Sequence, residues 1–327
     1  MQTRKFGNCG VEISAMGLGC FGMSGAYGPA DDTQSIATIH RAIELGANLL
    51  DTSASYGQGH NHEIIGRAIR DRRDKIFIHS KTGTVRTAAG ASVAEGSGTP
   101  DRLRAVCEAS LERLGIEVLD CLCMSRIDPT VPVEESVGAM ARLVEAGKVR
   151  FVSLSECSPD SVRRGFATHP LTALQFEYSL WSRDPEGEHM AVCRELDMAF
   201  MAYSPLGYGF LAGAFAKPGD VSDNRQRFPR FQQENFDHNA ALVAGLRDIA
   251  AGNGATPAQV ALAWIMAQDD IIFPIPGSKS IAHLEENLDA LEIELTTADL
   301  ARLDEAFPPG AAAGTRYPAS GMARVNL

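Results

Sequence analysis

The chain has 327 residues and a formal net charge of −11, from 41 acidic and 30 basic side chains. That balance, with no run of Lys or Arg, excludes a general nucleic-acid binder, which needs a basic surface to displace counterions from phosphate. An apolar fraction of 45% with 22% charged residues suits an ordinary folded protein, and no stretch of about twenty apolar residues is present to span a bilayer.

Met1 to Phe6 lack the apolar core and small-residue cleavage site of a secretory signal, so a cytoplasmic chain is expected. Seven cysteines, Cys9, Cys20, Cys107, Cys121, Cys123, Cys157 and Cys193, are odd in number and lack C-x-x-C spacing. They read as buried thiols of a reducing compartment, with neither a disulfide framework nor a zinc site favoured.

Along the chain, short apolar β-rich runs alternate with stretches of helical period, the pattern of a parallel sheet with crossover helices. Lys5-Phe6 and Val11-Glu12-Ile13 flank Asn8-Cys9-Gly10, which suits a hairpin plugging one end of a closed sheet. Eight strand-like runs follow, at Met16–Leu18, Asn48–Leu50, Ile76–Ile78, Leu119–Leu122, Phe151–Leu154, Ala173–Gln175, Phe200–Ala202 and Ile271–Phe273. Each precedes a helical candidate. In the first, Ile36, Ile39 and Ile43 follow a Pro29-Ala30-Asp31-Asp32 opening that supplies acidic caps. In the last, Ile281, Leu284, Leu288 and Leu291 keep the same face. Eight such units without a linker predict one α/β domain over residues 1–327, a (β/α)₈ barrel of the TIM type. Two segments break the repeat: Gly207 to Asn235, a long loop after the seventh strand and a candidate cover for cofactor or substrate, and the Ala/Gly/Pro-rich tail from Pro308.

Gly17-Leu18-Gly19-Cys20-Phe21-Gly22 matches the G-x-G-x-x-G string of dinucleotide-binding proteins, but Gly25, Gly28 and Pro29 keep the following chain irregular. The helix that fingerprint requires is missing, so the glycines read as a turn at the barrel mouth. More informative is Asp51-Thr52-Ser53-Ala54-Ser55-Tyr56-Gly57 at the end of the second strand, with Lys81 ending the third. Strand ends are where barrel chemistry sits. Asp51 would keep the Lys81 ammonium charged, and that charge would lower the Tyr56 pKa from about 10 toward the working range of a general acid. A barrel-end salt bridge beside an unrelated loop tyrosine accounts for the spacing about as well.

Gly46 to Gly57, the Lys81 strand end, Gly147 to Glu156, Ala202 to Gly207, and Pro276 to Lys279 through Glu286-Asn287 together resemble the signatures of the aldo-keto reductase superfamily. The likeness is greatest to the bacterial and plant branch that includes pyridoxal reductases, with voltage-gated potassium channel β subunits as more distant cousins. The resemblance implies a barrel that binds extended NADP(H) and reduces a small-molecule aldehyde or ketone, with Tyr56 as proton donor tuned by Asp51 and Lys81. It places Ser155, Glu156 and Gln175 at the nicotinamide carboxamide and Tyr203 against the nicotinamide ring. Gly22, Ser204, Leu206, Gly207 and Gly277 would line the cofactor path, Ser278 and Lys279 would meet the 2′-phosphate, and Glu286 and Asn287 the adenine.

Two departures from the family pattern stand out. In Leu122-Cys123-Met124-Ser125-Arg126-Ile127-Asp128-Pro129, Ser125 takes the position of a histidine that hydrogen-bonds the substrate carbonyl. A hydroxyl can donate one bond but carries no charge, and losing an oxyanion donor costs on the order of a hundredfold to a thousandfold. A low-turnover NADP(H) sensor, or an enone reductase, is therefore the alternative to an ordinary carbonyl reductase. The second departure follows Lys279, where Ser280 and Ala282 replace the basic residues of relatives. NADPH is still expected over NADH, with Arg225 or Arg227 supplying the missing charge. The loops expected to shape the substrate pocket are those at Tyr27, Arg86 to Ser97, Arg126 and Gly207 to Asn235. Trp181 packs either in the core or over the nicotinamide. His60 and His62 resemble a metal pair, but no third ligand is near and the resembled family uses no metal. Self-association is left open.

Overall fold

The computed structural model describes residues 1–86 and 92–327. Eight parallel strands form its centre: β1 (Leu18–Gly19), β2 (Leu49–Ser53), β3 (Phe77–Lys81), β4 (Leu119–Met124), β5 (Val149–Ser155), β6 (Ala173–Glu177), β7 (Ala199–Tyr203) and β8 (Ile272–Ile275). They pair in chain order. The Gly17 and Gly19 N–H groups donate to the Pro274 and Pro276 carbonyls at 3.0 Å, closing β1 on β8 into a barrel.

Strand pleat decides which residues see the interior. Leu50, Ile78, Leu122 and Leu154 face outward into the main core beneath the helices. Leu49, Phe77, Cys121, Met201 and Phe273 face inward and form a separate apolar layer. The amino-terminal hairpin pairs Thr3–Lys5 with Glu12–Ser14, and its Phe6 caps that layer, 5.1 Å edge-on from both Phe77 and Phe273. The plug read from the sequence is therefore an aromatic stopper at the amino-terminal end of the barrel, opposite the mouth.

The helices among the described residues are α1 (Asp32–Glu44), α2 (His60–Ile69), α3 (Pro100–Leu114), α4 (Val133–Glu145), α5 (Pro159–Thr168), α6 (Glu188–Glu195), α7 (Gln233–Gly252), α8 (Pro257–Met266), α9 (Ile281–Asp289), α10 (Thr297–Ala306) and a single turn, α11 (Ala319–Met322). Asp31 caps α1 by accepting from the Gln34 N–H at 2.7 Å, as its acidic opening predicts. One helix per strand does not hold after β7, where both α7 and α8 intervene. Thr256 and Gln259 form a reciprocal capping box that starts α8 afresh. The long loop contains four short 3₁₀ turns, at Gly207–Gly209, Pro218–Asp220, Asn224–Arg227 and Pro229–Phe231. No helix among the described residues is long and apolar enough to cross a membrane.

Candidate active site

The expected residues from Asp51 to Lys279 converge on the carboxyl ends of the strands, because the inward pleat positions there are polar where the deeper layer is apolar. Asp51, buried on β2, has both carboxylate oxygens occupied. Oδ2 lies 2.5 Å from Lys81 Nζ. Oδ1 accepts from Gln175 Nε2 at 2.7 Å and from His79 Nδ1 at 2.9 Å. Burial alone would push the Asp51 carboxyl up, but Lys81 and His79 hold it below its ordinary value. Burial likewise opposes the Lys81 ammonium, and Asp51 more than restores it.

Tyr56 stands in the loop after β2, its ring half-buried with Lys81 Nζ 5.1 Å from the centroid and Phe21 at 4.5 Å. The phenol departs from the expectation. Burial pushes its pKa up to about 12, and Lys81 only partly offsets the rise. The sign of the lysine effect agrees with the sequence reading, but desolvation exceeds it.

Ser125 follows β4, 8% exposed, and its Oγ accepts from the Gly83 N–H at 2.9 Å. Its own O–H proton is left to donate. At the end of β5, Ser155 Oγ is buried and without a protein partner, directly across the strand pair from Gln175. An orphaned buried hydroxyl inside a polar mouth is free to bond a ligand.

Glu156 is placed differently from its expected neighbour. Its carboxylate, fully buried, is held by two parallel bonds from Arg316 at 2.8 and 2.9 Å, by Tyr203 Oη at 2.8 Å and by the Glu177 N–H at 2.9 Å. Burial would raise its pKa, while Arg316 and Arg126 lower it below the ordinary value. Tyr203 Oη is also 2.5 Å from Tyr317 Oη. Arg316 and Tyr317, in the irregular tail, thus lock the carboxyl-terminal segment across β5 to β7. Beside them Arg230 sits 3.4 Å from Glu177.

Farther along the mouth, Ser204 and Gly207 adopt left-handed backbone, φ 49° and 56°. Gly207 has a steric reason as well, since a Cβ there would lie 2.5 Å from the Trp181 ring. Trp181 packs under the long loop against Phe210 at 5.1 Å, which decides for core. Tyr27 covers Gly22 and Gly277, with the Arg225 guanidinium 5.1 Å from its ring. Arg225 is paired with Asp223 at 2.5 Å, while Arg227 lies over Phe228. Lys279 Nζ donates to the Tyr27 and Pro29 carbonyls at 2.9 and 2.6 Å, and burial followed by Arg225 lowers its pKa. Ser278 Oγ donates to the Ser280 carbonyl at 2.9 Å. Glu286 and Asn287 lie on α9, just past these residues.

His62 Nε2 meets Ser80 Oγ at 2.9 Å, and His60 meets Asp32 and Ser24 at 3.1 Å each. All seven cysteines are free and six are buried. Part of the Arg86 to Ser97 loop, residues 87–91, lies outside the described residues. The sequence reading missed His79, Arg316 and Tyr317. For His79 a signal existed: it precedes Lys81 by two residues, so the pleat puts it on the same inward face. Arg316 carried none, being separated from Glu156 by 160 positions.

A barrel whose mouth gathers a buried Asp–Lys pair beside a tyrosine defines a class, and sequence comparison names it. Residues 15–307 match the aldo/keto reductase family. The chain is 41% identical to a probable aldo-keto reductase 1 of Glycine max, covering 97% of this chain and 92% of the relative. It is 39% identical to an aldo-keto reductase of Schizosaccharomyces pombe whose name carries NADP(+), covering 100% and 97%. The crystal structure of an aldo/keto reductase from Klebsiella pneumoniae in complex with NADP and acetate superposes with a TM-score of 0.74 at 27% identity, covering 97% and 99%. The chain belongs to the aldo/keto reductase family.

Proposed function

We propose that the protein is an NADP(H)-dependent reductase of a small aldehyde or ketone, formed by the whole chain as one barrel domain, with Tyr56 as the proton donor. The observation that carries this reading is the buried Asp51–Lys81 pair set against the Tyr56 ring. The NADP(+) in the name of the yeast relative and the NADP in the Klebsiella structure support the cofactor. So do the orphaned Ser155 hydroxyl and the left-handed Ser204–Gly207 turn, which shape a polar cradle this group would occupy.

Bound NADPH supplies hydride chemistry at the mouth. Ser155 and Gln175 would hold the carboxamide, and Tyr203, its hydroxyl fixed by Glu156, would offer its ring to the nicotinamide. Glu156 would take part by fixing that ring. Gly22, Ser204, Leu206, Gly207 and Gly277 would line the path of the pyrophosphate. Ser278 and Lys279, with Arg225 beside Lys279, would meet the 2′-phosphate, and Glu286 and Asn287 the adenine.

The substrate carbonyl oxygen would be met by Tyr56 Oη and by the Ser125 hydroxyl, whose proton is left to donate. Tyr56 transfers its proton to that oxygen, and Lys81, kept charged by Asp51, stabilises the phenolate left behind. A phenol raised to about 12 holds its proton at neutral pH, which suits the reductive direction.

The test is NADPH oxidation against a panel of aldehydes, ketones and enones, beside Tyr56→Phe and an NADH control. Turnover abolished in Tyr56→Phe supports the reading. Tight NADPH binding with no turnover until Ser125→His is introduced would instead mark a sensor, and binding of neither nicotinamide would sink both.

A further inference from the structure

His79 is a fully buried ionisable side chain to which the proposed reaction assigns no task. Two residues before Lys81 on β3, it occupies the same inward face about 6.6 Å deeper in the barrel. Its Nδ1 is bonded to Asp51 at 2.9 Å, and its Nε2 lies 2.9 Å from Ser153 Oγ; that hydroxyl oxygen accepts from Cys121 Sγ at 3.3 Å. The groups facing it are Asp51 from β2, Cys121 and Cys123 from β4, Ser153 from β5, Gln175 from β6 and Lys81 from the layer above. Below, among the described residues, lies the apolar layer of Phe6, Phe77, Met201 and Phe273, to which Cys121 also belongs.

Charge bookkeeping gives this position meaning. Asp51 and Lys81 cancel each other, so without a third group the floor beneath Tyr56 is neutral. Ser125 cannot supply the missing charge, because a hydroxyl has no cationic form. A protonated His79 brings the trio to a net +1, and a nearby cation favours the phenolate that forms when Tyr56 gives up its proton. Burial works against the imidazolium, while the Asp51 carboxylate bonded at Nδ1 favours it and raises its pKa above the ordinary value.

We propose that His79 is a positioning residue for the carbonyl reduction, clamping Asp51 against Lys81 and holding beneath Tyr56 a positive charge that stands in for the imidazole absent at Ser125. No proton leaves His79 during turnover. The inference rests on the reductase reading above, and its test separates the two.

In wild-type protein with ¹⁵N-labelled histidine, NMR should show one of the eight imidazoles still doubly protonated at about pH 8, well above the ordinary value near 6.5. If all are neutral there, the proposal is wrong. His79→Gln keeps donors for Asp51 and Ser153 but removes the charge. Alcohol oxidation with NADP⁺, in which Tyr56 is the base, should then fall about tenfold in kcat, with the limb that rises toward high pH as Tyr56 ionises moved up about one pH unit and KM little changed. Ser125→His should restore more activity to His79→Gln than it adds to wild type. An unchanged kcat and pH profile in His79→Gln would overturn the proposal, and if that variant fails to fold, the wild-type spectrum decides. Absence of any NADPH-dependent turnover in wild type would instead defeat the reductase reading, leaving the imidazolium measurement to judge His79.

Discussion

Two buried ionic clusters share the barrel mouth and are used in opposite ways. In the first, Asp51, Lys81 and His79 lie on neighbouring strands, and the lysine keeps an open side toward the Tyr56 ring. In the second, the Glu156 carboxylate is gripped by Arg316, Tyr203 and the Glu177 N–H, three of the four bonds converging on Oε1. A buried charge bonded to a distant segment of the chain holds segments together; one set against a tyrosine ring can act on a reactant. On the proposed function the first cluster is chemical, and the second ties the tail to the barrel.

The sharpest way to break this contrast is Tyr56→Phe. It should lower carbonyl reduction by about a thousandfold, the range of a lost general acid, while leaving thermal stability and NADPH binding near wild type; steady-state kinetics with fluorescence titration checks both. Arg316→Met should do the reverse. Leaving Glu156 buried without its bidentate partner should cost about 3–5 kcal/mol of stability in denaturant unfolding, with a smaller effect on kcat than on the midpoint. If Arg316→Met matched Tyr56→Phe in kcat without losing stability, the division of labour would be wrong.

Acid should separate the clusters further. Asp51 and Glu156 are held below their ordinary values, so the unfolded chain protonates them first. Their contribution is complete above the unfolded carboxylate range near 4 and is lost as pH falls through the lower folded values. His62, fully buried, adds an earlier step. Burial, with Arg113 and Lys81 nearby, lowers its pKa to about 4, so its contribution is full above the unfolded value near 6.5 and is lost as pH falls toward 4. Between pH 7 and 5 this amounts to about 2 kcal/mol, which His62→Leu should remove from the stability profile. Smallest is Ser125→Ala, expected to reduce kcat/KM about tenfold by deleting one neutral donor. A larger loss would mean that Ser125 performs more of the oxyanion work than a single hydroxyl should.

Most of the barrel was legible because its signals are local. All eight predicted runs lie in or beside the observed strands, since parallel strands buried on both faces need unbroken apolar stretches. Asp51, Tyr56 and Lys81 were legible as a group because their strands are adjacent in both sequence and space. The α7–α8 pair was missed, as nothing in the pattern requires one helix per strand. The Tyr56 pKa was misjudged because desolvation depends on everything that surrounds the phenol.

By itself, then, the sequence determined the barrel, the family and the strand ends that carry the reactive groups, since these follow from periodicity, pleat and short motifs. Only the tertiary structure decided that Glu156 is spent on Arg316, that Trp181 belongs to the core under the long loop, and that His79 lies behind Asp51. Those outcomes depend on which distant side chains are left unpaired when the barrel closes, and pairing inside a low-dielectric interior is settled by three-dimensional proximity alone.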